Sequence, residues 1–162
     1  MDSIPKSVGV GPNRVRKTKS SMEYVVSQDI NAGIKYVLGR VDEDFKYTVY
    51  INCTLPTRLY DAVFNGNYNF SHSDTQMKQF NYHKMNNLKD LKEFLETGPE
   101  EKTMIVEGFS DIVKLTTMEY ARLNVLVVDV LMIMKTRFIT CFVLDNKYNP
   151  FVDLNCDSHV DV

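Results

Sequence analysis

Hydrophobic and polar residues alternate most regularly between residues 45 and 54. The odd positions carry aromatic, β-branched and cysteine side chains, and the even positions carry Lys46, Thr48, Tyr50, Asn52 and Thr54. A period of two is typical of a strand with one buried face and one polar face. The pattern therefore predicts a half-buried strand that ends at Pro56. Tyr50 is expected on its outer face, where a tyrosine covers the sheet edge or serves a contact surface.

The clearest helical pattern lies at residues 88–95. Leu88, Leu91 and Leu95 are three and four residues apart, which places them on one face of a helix. Asn87 can cap the start of this helix, and Gly98-Pro99 can end it. A shorter helix is expected from Thr57 to Gly66, followed by a polar surface loop over residues 65–81.

The remaining segments predict a mixed order of elements. Residues 23–38 are interpreted as a short helix followed by a strand, and residues 103–109 as a short strand. Residues 124–134 and 137–145 are long apolar segments rich in β-branched residues, which favours two strands of a hairpin. Strands beside strands, with helices between groups, predict a single α+β domain over residues 22–162 with a mixed or antiparallel sheet and a few short helices.

Charge is distributed unevenly along the chain. The whole sequence has a formal net charge of −2, but residues 1–20 carry five cationic side chains against Asp2. That segment has a net charge of +4, so the rest of the chain carries −6. Residues 1–21 contain proline and glycine but no aromatic residue, which predicts a disordered basic N-terminal arm. The tail from Asp145 is acidic, so the two ends could pair in a salt-sensitive, head-to-tail self-association.

The arm provides the candidate binding residues, which are Lys6, Arg14, Arg16, Lys17 and Lys19. Clustered cations of this kind bind the phosphates of nucleic acid or the surface of an anionic membrane. A solubilising tail without a ligand is the alternative.

No catalytic residue, metal site or cofactor is expected. Phosphate-binding, dinucleotide-binding and hydrolase motifs are absent. His72 and His83 are interpreted as solvated loop residues. Cys156 and His159, with Cys141, supply three possible zinc ligands where a structural site needs four. Asp42, Glu43 and Asp44 are interpreted as a solvated turn.

Other residue types bear on location and packing. The odd cysteine count and the lack of an N-terminal apolar stretch predict an intracellular, reduced protein that is not secreted. The most apolar run is too short for a transmembrane helix. Cys53 and Cys141 are expected in the core. Met118, Met132 and Met134 are interpreted as core filler, or as a methionine-rich groove for a partner helix.

Residues 44–65, "DFKYTVYINCTLPTRLYDAVFN", resemble the start of the globular domain in rhabdovirus matrix proteins. There too, a basic arm leads into an aromatic-rich strand, a turn marked by proline and a short helix containing Tyr-Asp. The resemblance covers the arm and these residues, and the P-P-x-Y and P-T-A-P budding motifs are absent.

This resemblance implies a non-enzymatic viral structural protein of the host cytoplasm, virion or membrane surface. Such a protein self-associates, condenses a ribonucleoprotein and bridges it to an anionic membrane. The alternative is a nucleic-acid-binding viral accessory protein, such as an RNA-binding suppressor. An enzyme is the third hypothesis.

Overall fold

A computed structural model of the chain describes residues 20–41, 45–53, 59, 81–98 and 101–162. The strands are β1 (Ser21–Val26), β2 (Thr48–Asn52), β3 (Asn81–Lys84), β4 (Glu101–Glu107), β5 (Phe138–Asp145) and β6 (Ser158–Asp161). The helices are α1 (Ile30–Arg40), α2 (Leu88–Thr97), α3 (Phe109–Leu115), α4 (Tyr120–Arg137) and α5 (Pro150–Leu154), and a 3-10 turn over Phe45–Tyr47 precedes β2.

The strands form one six-stranded sheet in the order β3-β2-β4-β5-β1-β6. All five strand pairs are parallel. Helices alternate with the strands along most of the described chain, so the fold is α/β. The prediction of an α+β domain with a mixed or antiparallel sheet is therefore wrong. It failed because parallel partners are distant in sequence, as Ser21 opposite Thr140 shows.

The connections cover both faces of this sheet. The connections β1→β2 and β2→β3 move towards the β3 edge, and their buried residues, such as Ile34 and Leu59, pack on one face, here called the back. The three later connections move towards the β6 edge, and α2, α3, α4 and α5 pack on the other face, the front. Right-handed crossovers require this division, because reversing the direction across the sheet moves the connection to the opposite face.

Residues 120–137 form the longest helix of the described residues, and this corrects the prediction of a strand over residues 124–134. Leu126, Val130 and Met134 are buried at spacings of four residues, which places them on one side of α4. The chain then passes directly from α4 into β5, as Phe138 ends the helix and begins the strand. A helix leading into a parallel strand thus replaces the expected hairpin. The predicted strand over residues 137–145 is confirmed as β5.

The predicted strand over residues 45–54 is confirmed as β2, but its expected half-burial is wrong. All five of its residues are buried, because a central strand of a parallel sheet is covered on both faces. Tyr50 lies fully inside the protein and not on an outer face. Its hydroxyl donates a hydrogen bond to Glu107, so the apparent polar face of β2 is a buried polar face.

The predicted helix at residues 88–95 is confirmed as α2. Leu88, Leu91 and Leu95 are buried, the Asn87 side chain accepts a hydrogen bond from the Asp90 backbone N–H, and the helix ends at Gly98. The short strand predicted at residues 103–109 is confirmed as β4. The expected order over residues 23–38 is reversed: β1 comes first, and Asp29 then caps α1.

Several predictions fall outside the described residues. The disordered arm was predicted over residues 1–21, and its residues 1–19 are not among those described. The same is true of the acidic turn at 42–44, of the helix at 57–66 apart from residue 59, and of the polar loop up to residue 80. Of the residues that the structure describes, none belongs to a helix with the length and apolar character needed to span a membrane.

Candidate functional site

The carboxyl ends of the six parallel strands meet at one edge of the sheet. Ligands of open α/β sheets bind at this edge, between neighbouring strands whose following connections lie on opposite faces. β5 and β1 are such a pair, since α5 follows β5 on the front and α1 follows β1 on the back. β4 and β2 are a second pair. The side chains at these two gaps are therefore the first candidates for a site.

A buried carboxylate lies at the gap between β5 and β1. Asp145, the last residue of β5, is 2% exposed. The Ser110 backbone N–H donates to its Oδ1 at 2.8 Å, and the Ser110 hydroxyl donates to its Oδ2 at 2.6 Å. The Tyr24 hydroxyl donates to Oδ2 at 2.7 Å. Burial raises the pKa of Asp145, and the hydrogen bonds from Ser110 and Tyr24 oppose that effect.

The Tyr24 hydroxyl also organises the chain that follows β5. It accepts a hydrogen bond from the Asn149 backbone N–H at 3.0 Å. The Asn149 side chain in turn caps α5 by accepting from the backbone N–H groups of Phe151 and Val152. Tyr24 and Asp145 thus join β1, β5 and the start of α5, which is a structural role.

A second buried carboxylate lies at the gap between β4 and β2. Glu107, the last residue of β4, is fully buried. The Tyr50 hydroxyl donates to its Oε1 at 2.7 Å. Burial, followed by the neighbouring Glu107, raises the pKa of Tyr50 well above its ordinary value. The hydroxyl therefore remains protonated at neutral pH and acts as a donor, not as a base.

Cys53 lies directly after β2, and its backbone N–H donates to the Glu107 carbonyl at 2.8 Å. Burial, together with the carboxylates of Asp145 and Glu107, raises the pKa of its thiol. A thiol that remains protonated is a poor nucleophile at neutral pH. The predicted core position is confirmed for Cys53 and for Cys141.

The junction between β1 and α1 is the place where nucleotide-binding sheets hold a phosphate against the first turn of a helix. Here that turn is occupied by protein groups. The Asp29 carboxylate accepts from the Asn31 backbone N–H at 3.1 Å, and the Ser27 hydroxyl donates to the Asp29 carbonyl at 2.5 Å. A carboxylate at this position repels a second anion. α1 is also close to the sheet: a Cβ added at Gly33 would lie 2.7 Å from Leu144 Cδ1.

The possible zinc ligands do not form a site. In the part of the chain that the structure describes, no three His, Cys, Asp or Glu side chains are grouped so as to hold a metal ion. Cys141 is fully buried. His159 Nε2 lies 3.0 Å from Asp161 Oδ1.

A groove between α2 and α4 is a second candidate surface. The two helices run in the same direction: the Leu88 N–H donates to Thr116 Oγ1 at 3.0 Å near their starts, and Arg137 donates to the Gly98 carbonyl near their ends. The groove has a volume of about 540 Å³. It is lined by Lys89, Lys92, Glu93, Glu96, Met118, Ala121, Arg122, Val125, Leu126 and Asp129, and is here called the α2–α4 groove.

The binding residues predicted from sequence are all in the N-terminal segment. Lys6, Arg14, Arg16, Lys17 and Lys19 lie outside the described residues, so the structure does not place them relative to either candidate surface. Sequence reasoning missed Glu107 and Asp145. Each is an acidic residue directly after an apolar run, "MIVE" and "FVLD", a pattern that indicates the carboxyl end of a buried parallel strand.

No protein-family model matches this chain, and no curated protein matches it significantly.

Proposed function

We propose that the protein is a non-enzymatic adaptor that acts through its surfaces. The observation that carries this proposal is the environment of Asp145. A catalytic carboxylate must reach a proton of its substrate. Both oxygens of Asp145 instead accept hydrogen bonds from Ser110 or Tyr24 inside the fold.

The second gap and the β1–α1 junction support the same conclusion. Glu107 is fully buried and accepts a hydrogen bond from Tyr50, and the Cys53 thiol stays protonated. Asp29 supplies the negative charge that a phosphate would bring to the start of α1. The polar groups at the carboxyl edge therefore stabilise the sheet and the turns that follow it.

The adaptor is proposed to be of the viral matrix type, self-associating and attached to a ribonucleoprotein or an anionic membrane. The sequence supports this through the basic segment from Lys6 to Lys19 and the acidic remainder of the chain. Phosphate groups are the chemistry that such a segment recognises in both ligands. The alternative is an RNA-binding accessory protein, in which the basic segment binds RNA and not an anionic membrane.

Calorimetric titration with magnesium–ATP and with inorganic phosphate tests whether the carboxyl edge is a ligand site. We expect no heat of binding for the unmodified protein at millimolar ligand. The matched variant is Glu107→Gln, which keeps the size of the side chain and removes its charge. Saturable binding to the unmodified protein that is lost in this variant would refute the adaptor proposal and favour an enzyme or a nucleotide-dependent switch.

The role of the basic segment is tested by vesicle flotation with anionic lipid and by an RNA gel shift. The variant replaces Arg14, Arg16, Lys17 and Lys19 with Ala, and the control replaces the exposed Lys114 and Lys147 with Ala. We expect loss of vesicle binding in the first variant only. Loss of RNA binding alone would favour the accessory protein, and no loss in either assay would exclude the segment as the contact.

A further inference from the structure

The charges that line the α2–α4 groove are separated along its length. The cationic side chains are Lys89 and Lys92 on α2 and Arg122 on α4, and the anionic ones are Glu93 and Glu96 on α2 and Asp129 on α4. On both helices the cations come first, and the helices run in the same direction. The two ends of the groove therefore differ in charge: Lys89 and Arg122 lie near the helix starts and Glu96 lies near the end of α2, while Lys92 and Asp129 pair at 3.8 Å between them.

The α4 side of the groove continues as an exposed apolar stripe. Val125 is 61% exposed and Met132 is 55% exposed. At about 100° per residue, Ala121, Arg122, Asp129 and Met132 all lie within about 60° of Val125 around the helix axis. The outer face of α4 is thus apolar at its centre, with one cation before and one anion after that centre.

We propose that a second copy of this chain docks on this face, with the two α4 helices antiparallel about a two-fold axis near Val125. The proposal rests on the proposed function in that it names the partner for self-association of the adaptor. Arg122 lies three residues before Val125, and Asp129 lies four residues after it. Rotation by 180° about Val125 therefore brings Arg122 to within one residue, about 1.5 Å of helix rise, of Asp129 of the partner subunit, twice in the dimer.

The same rotation brings the apolar centres of the two faces together, because Val125 meets Val125 of the partner subunit at the axis. A parallel pairing in register would place Arg122 against Arg122 and Asp129 against Asp129 of the partner subunit, so the charges select the antiparallel arrangement.

A second copy is favoured over an unrelated partner because the surface is complementary to itself. An interface about a two-fold axis uses one patch on both subunits and closes as a dimer. It differs from the head-to-tail contact expected from the opposite charges of the two ends of the sequence, because a head-to-tail contact gives rings or filaments.

The charged residues are accessible for this contact. Arg122 makes no ion pair with any other described residue. Asp129 Oδ2 lies 3.8 Å from Lys92 Nζ, and the two side chains are 48% and 34% exposed. A partly exposed pair at this distance stabilises a single chain only weakly. Asp129 can therefore accept a hydrogen bond from a second cation without breaking a strong contact.

Charge reversal of the two groups provides the test, with the full chain in sedimentation velocity at low and high salt. We expect a dimer for the unmodified chain. Arg122→Glu places like charges opposite each other twice, and so does Asp129→Arg. Each variant should associate roughly ten- to a hundredfold more weakly than the unmodified chain.

An equimolar mixture of the two variants should recover the dimer. In a mixed pair, the new carboxylate at position 122 faces the new guanidinium at position 129, and the unsubstituted Arg122 and Asp129 face each other. Lys114→Glu is the matched control, because it makes the same change of charge on the exposed end of α3, outside the groove. It should associate like the unmodified chain.

Several results would overturn the proposal. They are a monomer at high protein concentration, unchanged association of either single variant, or no recovery on mixing. Thermal unfolding of each variant alone shows whether it is folded. Nucleotide binding at the carboxyl edge would overturn the proposed function but not the dimer, so the failures of the two proposals are distinguishable.

Discussion

Replacement of Tyr24 by Phe is the most direct test of the role assigned to the carboxyl edge. The change removes only the hydroxyl oxygen, and the ring can remain in the core, so no large cavity forms. Asp145 loses the hydrogen bond at 2.7 Å, and the Asn149 N–H loses its acceptor at 3.0 Å. If these groups are structural, the effect must be seen in stability.

The expected loss is about 2–3 kcal/mol in the free energy of unfolding. A hydrogen bond to a charged group contributes about 1.5–3 kcal/mol, and a buried group left without its partner costs about 1–3 kcal/mol. Ser110 still donates twice to Asp145, which limits the loss at the carboxylate. The Asn149 N–H is only partly buried, so water can replace part of its lost hydrogen bond.

The loss should also depend on pH. Burial raises the pKa of Asp145, and the hydrogen bond from Tyr24 opposes this rise. Without it, the pKa of Asp145 in the folded state rises further. The folded protein then binds a proton at a pH where the unfolded chain is still ionised, so acidification through this window stabilises the variant. We expect the difference from the unmodified protein to shrink as the pH falls through the raised folded-state pKa of Asp145.

Urea unfolding at several pH values measures both effects. Tyr36→Phe is the matched control, because the partners of the Tyr36 hydroxyl among the described residues are Arg40, at an exposed site, and Glu23, at a partly buried one. It should change stability by less than about 0.5 kcal/mol. If Asp145 and its partners Tyr24 and Ser110 are structural, Tyr24→Phe must change stability by more than about 0.5 kcal/mol. A smaller change, or a loss of stability that does not vary with pH, would refute their structural role.

Two further changes test the packing on each face. Leu91→Ala should destabilise the protein by about 2–5 kcal/mol in urea unfolding, because Leu91 is fully buried on the front face. A loss under about 0.5 kcal/mol would show that this face is not packed. Gly33→Ala should lower the free energy of unfolding by about 1–3 kcal/mol, because the added Cβ would lie 2.7 Å from Leu144 Cδ1. Gly39 lies on the exposed side of α1, so Gly39→Ala should raise the free energy of unfolding by about 0.5–1 kcal/mol. Equal effects of the two glycine changes on the melting temperature would contradict the close packing of α1.

The sequence predicts the elements whose signals are local. α2 has a leucine spacing, a cap at Asn87 and a glycine at its end, all within twelve residues. β2 and β4 combine β-branched residues with short length, which favours strands. In each case the residues that decide the structure are neighbours along the chain.

The sheet topology could not be predicted in this way. β1 pairs with β5 and β6, which lie more than a hundred residues further along the chain. The first strand of the chain therefore lies between the last two strands in the sheet. The local pattern "FVLD" can place Asp145 at the end of a buried strand, but it cannot give the partners of the carboxylate. Ser110 and Tyr24, which donate hydrogen bonds to Asp145, lie 35 and 121 positions away.

The misinterpretation of α4 has a cause that bears on function. An amphipathic helix shows a period of 3.6 because one side is apolar and the other is polar. α4 buries Leu126 and Val130 against the sheet, yet it also carries Val125 and Met132 on its exposed side. With apolar residues on both sides, the helical period disappears, and β-branched residues then favour a buried strand. Exposed apolar stripes on a folded chain mark contact surfaces. The feature that conceals the helix in the sequence is therefore the one that the proposed dimer buries.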